Sequence, residues 1–312
     1  MSSLTVHPAI KLLIINPNTT SSMTASLQAP VNALLASYKD VSCDFFTGPP
    51  FQPSVKSSFD SPVPLADIDL NAAAIGAGAI PSINSPADAW ASAAYCLPFL
   101  RAKIPEYDGF LVACFSEHPL VQMLGKEIDD LRRQNSRGSW RKFVIGILEA
   151  SVITSLGLLA QYSSHRQGED ASTPSFGIVS TGKIWEDALS SAVHSFLGFD
   201  GNGSPKSERF AGVETTGLNA TELHDLPADE VRSRMSEAAA RLVSSPQLTD
   251  GERKRRKVRV ICLGCAGMTG LENAVREGVR SALGDEDAKE IMIVDGVLAG
   301  TSWLIGACRI RM

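Results

Sequence analysis

Gly109-Phe110-Leu111-Val112-Ala113-Cys114 is a short apolar run that ends on a thiol. Val258-Arg259-Val260-Ile261-Cys262-Leu263-Gly264-Cys265 repeats the arrangement further along the chain. Turn-forming residues follow each, Ser116 and Glu117 after the first and Ala266 and Gly267 after the second. A run of this kind reads as a buried parallel strand leaving its sheet. Ligands of open α/β sheets collect at that end of the strands. Two thiols placed alike point to two related halves facing one another across a cleft. Such a pair can take a proton from one face of a carbon and return it to the other.

Working outward, strand-like and helix-like segments alternate along the whole chain, which predicts an α/β fold with parallel sheets and flanking helices. Strands are predicted at residues 12–15, 41–46, 110–113, 143–147, 176–180, 210–215, 259–263 and 291–294. Ser85, with Pro86 next and Asp88 three residues on, starts a helix that runs to about Phe99. Further helices are predicted over 119–132, 150–162, 184–196, 228–242, 271–283 and 301–308. Polar, Gly/Pro/Ser-rich breaks near 48–64, 163–174, 198–207 and 244–252 read as surface insertions. The domain change is placed just after the first Cys. This gives a first lobe of residues 1–118 plus 296–312 and a second of 119–295.

Composition narrows the class. The 312 residues are 44% hydrophobic and 20% charged, as expected of a chain with a substantial core. A net charge of −5 gives no electrostatic case for nucleic acid or an anionic membrane. The basic cluster of residues 253–257 plus Arg259 reads as a solvated loop, with a partner or targeting patch as the alternative. No apolar run approaches the ~20 residues that span a bilayer. Residues 1–11 do not read as a signal peptide, so a cytoplasmic protein with free thiols is expected.

Three motifs carry chemistry. Asn16-Pro17-Asn18-Thr19-Thr20 follows the first strand and precedes a helical run. Its amides suit an anionic or carbonyl-bearing ligand, and the same residues would also serve as an ordinary helix cap. Cys114-Phe115-Ser116-Glu117-His118 places a thiol before a helix, where the dipole favours thiolate. His118 stands where it could polarise that thiol, or act as a surface or capping histidine. In Leu263-Gly264-Cys265-Ala266-Gly267-Met268, glycines on both sides of the Cys suggest close approach of backbone to ligand. The Ala266 and Gly267 amides are placed to bind a carbonyl or developing enolate oxygen. Cys262 and Cys265 form a C-x-x-C, but Cys262 falls inside the strand and no second ligand pair suits zinc. Cys43, Cys96 and Cys308 read as core.

With these residues in hand, the chain resembles the Asp/Glu/hydantoin racemase superfamily, and within it the hydantoin and allantoin racemase branch. The resemblance rests on INPNT at 15–19 with Met23-Thr24, ACF at 113–115 and LGCAGM at 263–268. It extends through GILEAS at 146–151, FGIVSTG at 176–182 and VDGV at 294–297. It implies two similar Rossmann-like parallel-sheet lobes around a pseudo-twofold axis, with the active site in the cleft between them. By resemblance Cys114 and Cys265 are the catalytic acid/base pair, one per substrate face. Asn16, Asn18, Thr19, Phe115, Ser116, Gly264, Ala266 and Gly267 are the substrate-binding positions. No cofactor and no metal is implied. The partner is a small-molecule substrate, with neither nucleic acid nor membrane involved, and a homo-oligomer is a candidate assembly.

The sequence departs from the branch at Ser116-Glu117-His118-Pro119, where Gly-Asp-Pro-Gly is usual. Ala266-Gly267 follow the second Cys, where amino-acid racemases of the superfamily carry Thr-His. The expected activity is therefore racemisation of a 5-substituted hydantoin, allantoin being favoured. The alternatives are an arylmalonate decarboxylase-like lyase, a maleate isomerase-like enzyme, or a non-catalytic ureide- or hydantoin-binding protein.

Overall fold

Leu12, Leu13, Ile14 and Ile15 are all essentially without solvent exposure, so the strand that carries them is covered on both faces, the condition of a central parallel strand. This strand, β1 (Ile10–Asn16), belongs to a four-stranded sheet with β2 (Val41–Thr47), β3 (Gly109–Val112) and β4 (Phe143–Gly146) in the order β2-β1-β3-β4. A second sheet holds β5 (Thr173–Ser180), β6 (Phe210–Thr215), β7 (Arg256–Gly264) and β8 (Met292–Asp295) in the order β6-β5-β7-β8. Every pairing in both sheets is parallel. In this computed structural model of the chain the described residues are 9–50, 79–134, 141–162, 172–199, 207–244 and 256–310.

The expected α/β architecture of parallel sheets with flanking helices is therefore observed, and each predicted strand is present. The two sheets share one strand order: the first strand is central, the second lies outside it, and the third and fourth follow on its other side.

The chain divides into two units. Unit 1 is Met1–Cys114, His118–Gly146 and Gly300–Met312, and unit 2 is Phe115–Glu117 and Ile147–Ala299. Residues 119–146, assigned to the second lobe from sequence, thus fall in unit 1. The reason is strand pairing: β4 adds to β3, with Gly109 opposite Phe143 and Val112 opposite Gly146.

In unit 1 the core sets Leu13, Ile15, Phe110 and Val112 of the sheet against Ala93, Cys96, Leu100, Leu120 and Leu124. The last five come from helices Pro86–Arg101 and Pro119–Gln134. The first of these begins as predicted, with the Ser85 side chain accepting the Asp88 N–H at 3.2 Å. Unit 2 packs Val179, Ile261 and Leu263 with Met235, Ala238, Leu242, Val275 and Val279. The last five come from helices Ala228–Ser244 and Glu272–Leu283.

Two helices start earlier than expected. The strand predicted to reach 147 stops at Gly146, and helix Ile147–Ala160 starts at once. Likewise β8 runs directly into helix Gly296–Ile310, where a start at Thr301 was expected. Gly-Ile-Leu and Gly-Val-Leu are apolar on every side, and such a run does not announce where strand becomes helix.

The basic cluster is also corrected in part. Residues 253–255 lie outside the described residues, but Arg256 and Lys257 open β7. Lys257 meets Asp287 at 3.5 Å, while the buried Arg259 meets Glu290 at 3.6 Å and lies over the Tyr162 ring. Cys96 and Cys308 are buried as read; Cys43, on edge strand β2, is half-buried.

Candidate active site

In unit 1 the Ala113 N–H donates to the Ile15 carbonyl at 2.8 Å, so the β1–β3 ladder runs one residue beyond β3. Cys114 therefore stands at the C-terminal edge of the sheet, level with the loop that begins at Asn16. It is half-buried and packs against the unit's core cluster.

The Asn16–Thr20 loop is held by its own side chains. Asn16 Nδ2 lies within hydrogen-bonding distance of Asn18 Oδ1 (3.0 Å), the Thr20 carbonyl (3.1 Å) and Thr24 Oγ1 (3.0 Å). The Asn18 N–H donates to Asn16 Oδ1, the Thr20 N–H to Asn18 Oδ1 and the Thr19 N–H to the Ile80 carbonyl. Asn18 Nδ2 points at Met23 Sδ. Amides expected to be open to a ligand are thus committed within the loop, and Asn16 and Asn18 are both buried. A short polar turn between a buried strand and a helix must satisfy its own amides, and two asparagines do so. Thr19 remains half-buried.

After Cys114, Phe115, Ser116 and His118 are buried and Glu117 is exposed. The next helix begins only at Pro119. Cys114 consequently does not cap it. His118 holds that cap: its Nδ1 accepts the Leu120 N–H at 3.3 Å. It is a capping histidine, but a buried one. Burial drives its ring down to about 3.

In unit 2, Cys265 follows β7 in extended conformation (φ −157, ψ 141) and caps the short 3-10 turn Ala266–Met268. The Met268 N–H donates to the Cys265 carbonyl at 3.0 Å. Burial pushes the Cys265 thiol up to about 11, while a hydrogen bond from the Gly267 backbone holds the sulfur and works in the opposite direction. Cys265, Ala266 and Gly267 are half-buried at this edge.

Gly264 has a packing reason that the sequence reading missed. A Cβ there would sit 2.7 Å from the Val179 carbonyl oxygen and 2.8 Å from Ser180 Cβ. The Ser180 hydroxyl donates to the Gly264 carbonyl at 2.9 Å. Cys262 is fully buried with Ser155 Oγ at 3.1 Å, as expected for a strand residue facing the core.

Asp295 was not singled out from sequence. It ends β8 opposite Leu263, and its Oδ1 accepts the Val297 N–H at 2.8 Å and the Leu298 N–H at 3.2 Å. Burial raises its carboxyl pKa; these amides and the Thr269 hydroxyl oppose the rise. The readable signal was an Asp directly before a helical run, an N-cap pattern.

The structure thus gathers Cys114 with Asn16, Asn18 and Thr19 at the edge of one sheet. It gathers Cys265 with Gly264, Ala266 and Gly267 at the edge of the other. Among the described residues no group of three or more His, Cys, Asp or Glu could hold a metal ion, and no helix is long and apolar enough to cross a membrane.

Two solved structures share the fold. An allantoin racemase from Klebsiella pneumoniae matches with a TM-score of 0.58 and 20% identity, over 97% of this chain and 89% of that one. An allantoin racemase from Pseudomonas fluorescens matches with a TM-score of 0.57 and 18% identity, over 96% and 92%. At these identities the likeness speaks to the fold. An uncharacterized protein of Schizosaccharomyces pombe is 27% identical over 97% of this chain and 94% of its own length. Protein DCG1 of Saccharomyces cerevisiae is 26% identical over 84% of each. The family model for Asp/Glu/Hydantoin racemase matches residues 74–303, the greater part of the sequence with both Cys114 and Cys265 inside it. The chain belongs to the Asp/Glu/hydantoin racemase family.

Proposed function

We propose that this protein is a cofactor-independent racemase of a 5-substituted hydantoin, allantoin foremost, with Cys114 and Cys265 as its two bases. The observation that carries the reading is positional. Each thiol follows the third strand of a four-stranded parallel sheet, and the two sheets have the same strand order. Family membership supports a racemase-type function.

The chemistry follows from the substrate and the thiols. The C5–H of a hydantoin lies beside a ring carbonyl, so its removal spreads charge onto that oxygen as an enolate. One cysteine, as thiolate, takes this proton from one face and becomes a thiol. The other, as thiol, gives its proton to the opposite face and becomes a thiolate. The centre is inverted, atoms balance, and the two cysteines have exchanged roles, so the next turnover runs from the other enantiomer. The Gly267 N–H at Cys265 favours the thiolate stage of that residue. Thr19, Phe115, Ser116, Ala266 and Gly267 are the proposed lining. Asn16 and Asn18 shape the loop behind Thr19.

The test is ¹H NMR in D₂O with (R)-allantoin, (S)-allantoin and a 5-alkyl hydantoin, beside a no-enzyme control because these rings racemise slowly unaided. Enzyme-dependent loss of the C5 proton signal with chiral inversion is expected. Release of CO₂ from a malonate substrate with no C5 exchange would point to lyase chemistry and sink the racemase reading.

A further inference from the structure

We infer that His118 is a substrate-binding hydrogen-bond donor at the Cys114 edge: a neutral ring whose Nε2–H takes a carbonyl oxygen of the ligand. The inference rests on the function proposed above and deepens it.

The tautomer follows from one contact. Nδ1 accepts the Leu120 N–H at 3.3 Å, so that nitrogen carries a lone pair and the neutral ring holds its proton on Nε2. A second proton would have to sit on Nδ1, facing a backbone N–H, in a side chain only 2% exposed. The ring therefore stays neutral through the physiological range, in keeping with the depression that burial causes.

Nε2 itself is buried and has no hydrogen-bond partner among the described residues. A buried donor left unsatisfied is costly, and protein interiors rarely carry one without a reason. Packing does not supply the reason, because an apolar ring would fill the volume without that cost. Capping does not supply it either, since Asn, Ser or Asp cap a helix better than His.

Its place in the fold does supply a reason. His118 closes the five-residue segment that opens with Cys114, at the C-terminal edge of a parallel sheet, where ligands collect. A neutral imidazole N–H polarises a carbonyl without bringing a full positive charge. That suits an imide or ureide oxygen that gains charge as the adjacent C–H is removed. A free carboxylate would call for a cation, and the charged residue of this segment is the exposed Glu117.

Two substitutions separate donor from cap. His118→Asn keeps an oxygen in reach of the Leu120 N–H but removes the distal donor. His118→Gln carries an amide N–H out to about the position of Nε2. With wild-type C5 exchange as the reference, His118→Asn should melt like the wild type yet lose on the order of 10²-fold in kcat/KM. His118→Gln should recover most of that loss. Independently, a two-bond ¹H–¹⁵N spectrum of the wild-type protein should show the Nε2–H tautomer, and this resonance should move on adding 5,5-dimethylhydantoin, a substrate-shaped ring with no C5 proton to lose. An Asn variant as active as a wild type that exchanges C5 protons would overturn the inference and leave the racemase standing. An unmoved Nε2 resonance at saturating ligand would overturn it whatever the variants do. If the wild type exchanges no substrate, the racemase reading falls first, and the shift titration alone decides whether His118 meets a hydantoin.

Discussion

Burial and a single backbone N–H pull the Cys265 thiol in opposite directions, and burial wins, leaving it near 11. At pH 7 its thiolate fraction is then on the order of 10⁻⁴, growing about tenfold per pH unit until it levels off near that value. The Cys114→Ser variant isolates this behaviour, because the proposed mechanism leaves it Cys265 as the remaining base. It should fail to invert either enantiomer while still exchanging deuterium into one of them, at a rate that climbs with pH from 7 towards 10 above the no-enzyme control. A flat profile would mean that Cys265 is not the base. Cys265→Ser should also abolish inversion and exchange the other enantiomer; exchange of the same enantiomer by both variants would contradict a two-base mechanism. Gly264 looked like room for a ligand, yet it is room for β5, whose backbone leaves no space for a Cβ. The asparagines of the first loop looked like ligand contacts and are mainly loop scaffolding.

Helices Ala228–Ser244 and Glu272–Leu283 approach so closely that a Cβ at Gly278 would collide with the Ser236 carbonyl oxygen. Backbone cannot give way as a side chain can, so Gly278→Ala should cost about 2–3 kcal/mol and lower the thermal midpoint by about 3–5 °C. Gly157 is the contrasting case. It lies inside helix Ile147–Ala160, and a Cβ there meets nothing within 4 Å. Gly157→Ala should stabilise by about 0.5–1 kcal/mol, through the entropy of the unfolded chain. Differential scanning calorimetry of both variants checks the pair, and a midpoint for Gly278→Ala at or above that of Gly157→Ala would refute the packing argument. Elements with a polar signal at their ends were legible in advance, as the Ser85 cap of Pro86–Arg101 shows. Those that begin inside an apolar run were not. Ile147 and Val297 are buried in helices, but nothing in their own neighbourhood distinguishes that from burial in a strand.

At the scale of the whole molecule, the last helix begins in unit 2 and continues into unit 1, changing units between Ala299 and Gly300. Its Leu304 is fully buried and lies where a Cβ on Gly109 would strike it. A chain ending at Ala299 should therefore lose hydrogen-exchange protection in β1 and β3 before β5 and β7, although the deleted residues are far from β1 in sequence. Loss confined to the second sheet would show the division to be wrong. The proposed proton transfer calls for no metal ion, so EDTA should leave C5 exchange unchanged; loss of activity restored by a divalent cation would reopen the mechanism.

Legible in the amino-acid sequence alone were the α/β class, the eight strands of the described residues, the family and the two cysteines as the residues to examine. Each of these is written in local pattern: an apolar run, a turn, a thiol at its end. The tertiary structure decided what depends on strand pairing and on distant contacts. It assigned residues 119–146 to unit 1, because β4 pairs with β3. It tied the Asn16–Thr20 loop to a distant segment, with the Thr19 N–H donating to the Ile80 carbonyl across a long separation in sequence. It buried His118 with one nitrogen engaged and the other unpartnered among the described residues. Periodicity records which side of an element is apolar, but hydrogen-bond partners far apart in the chain leave no mark on the local sequence of either.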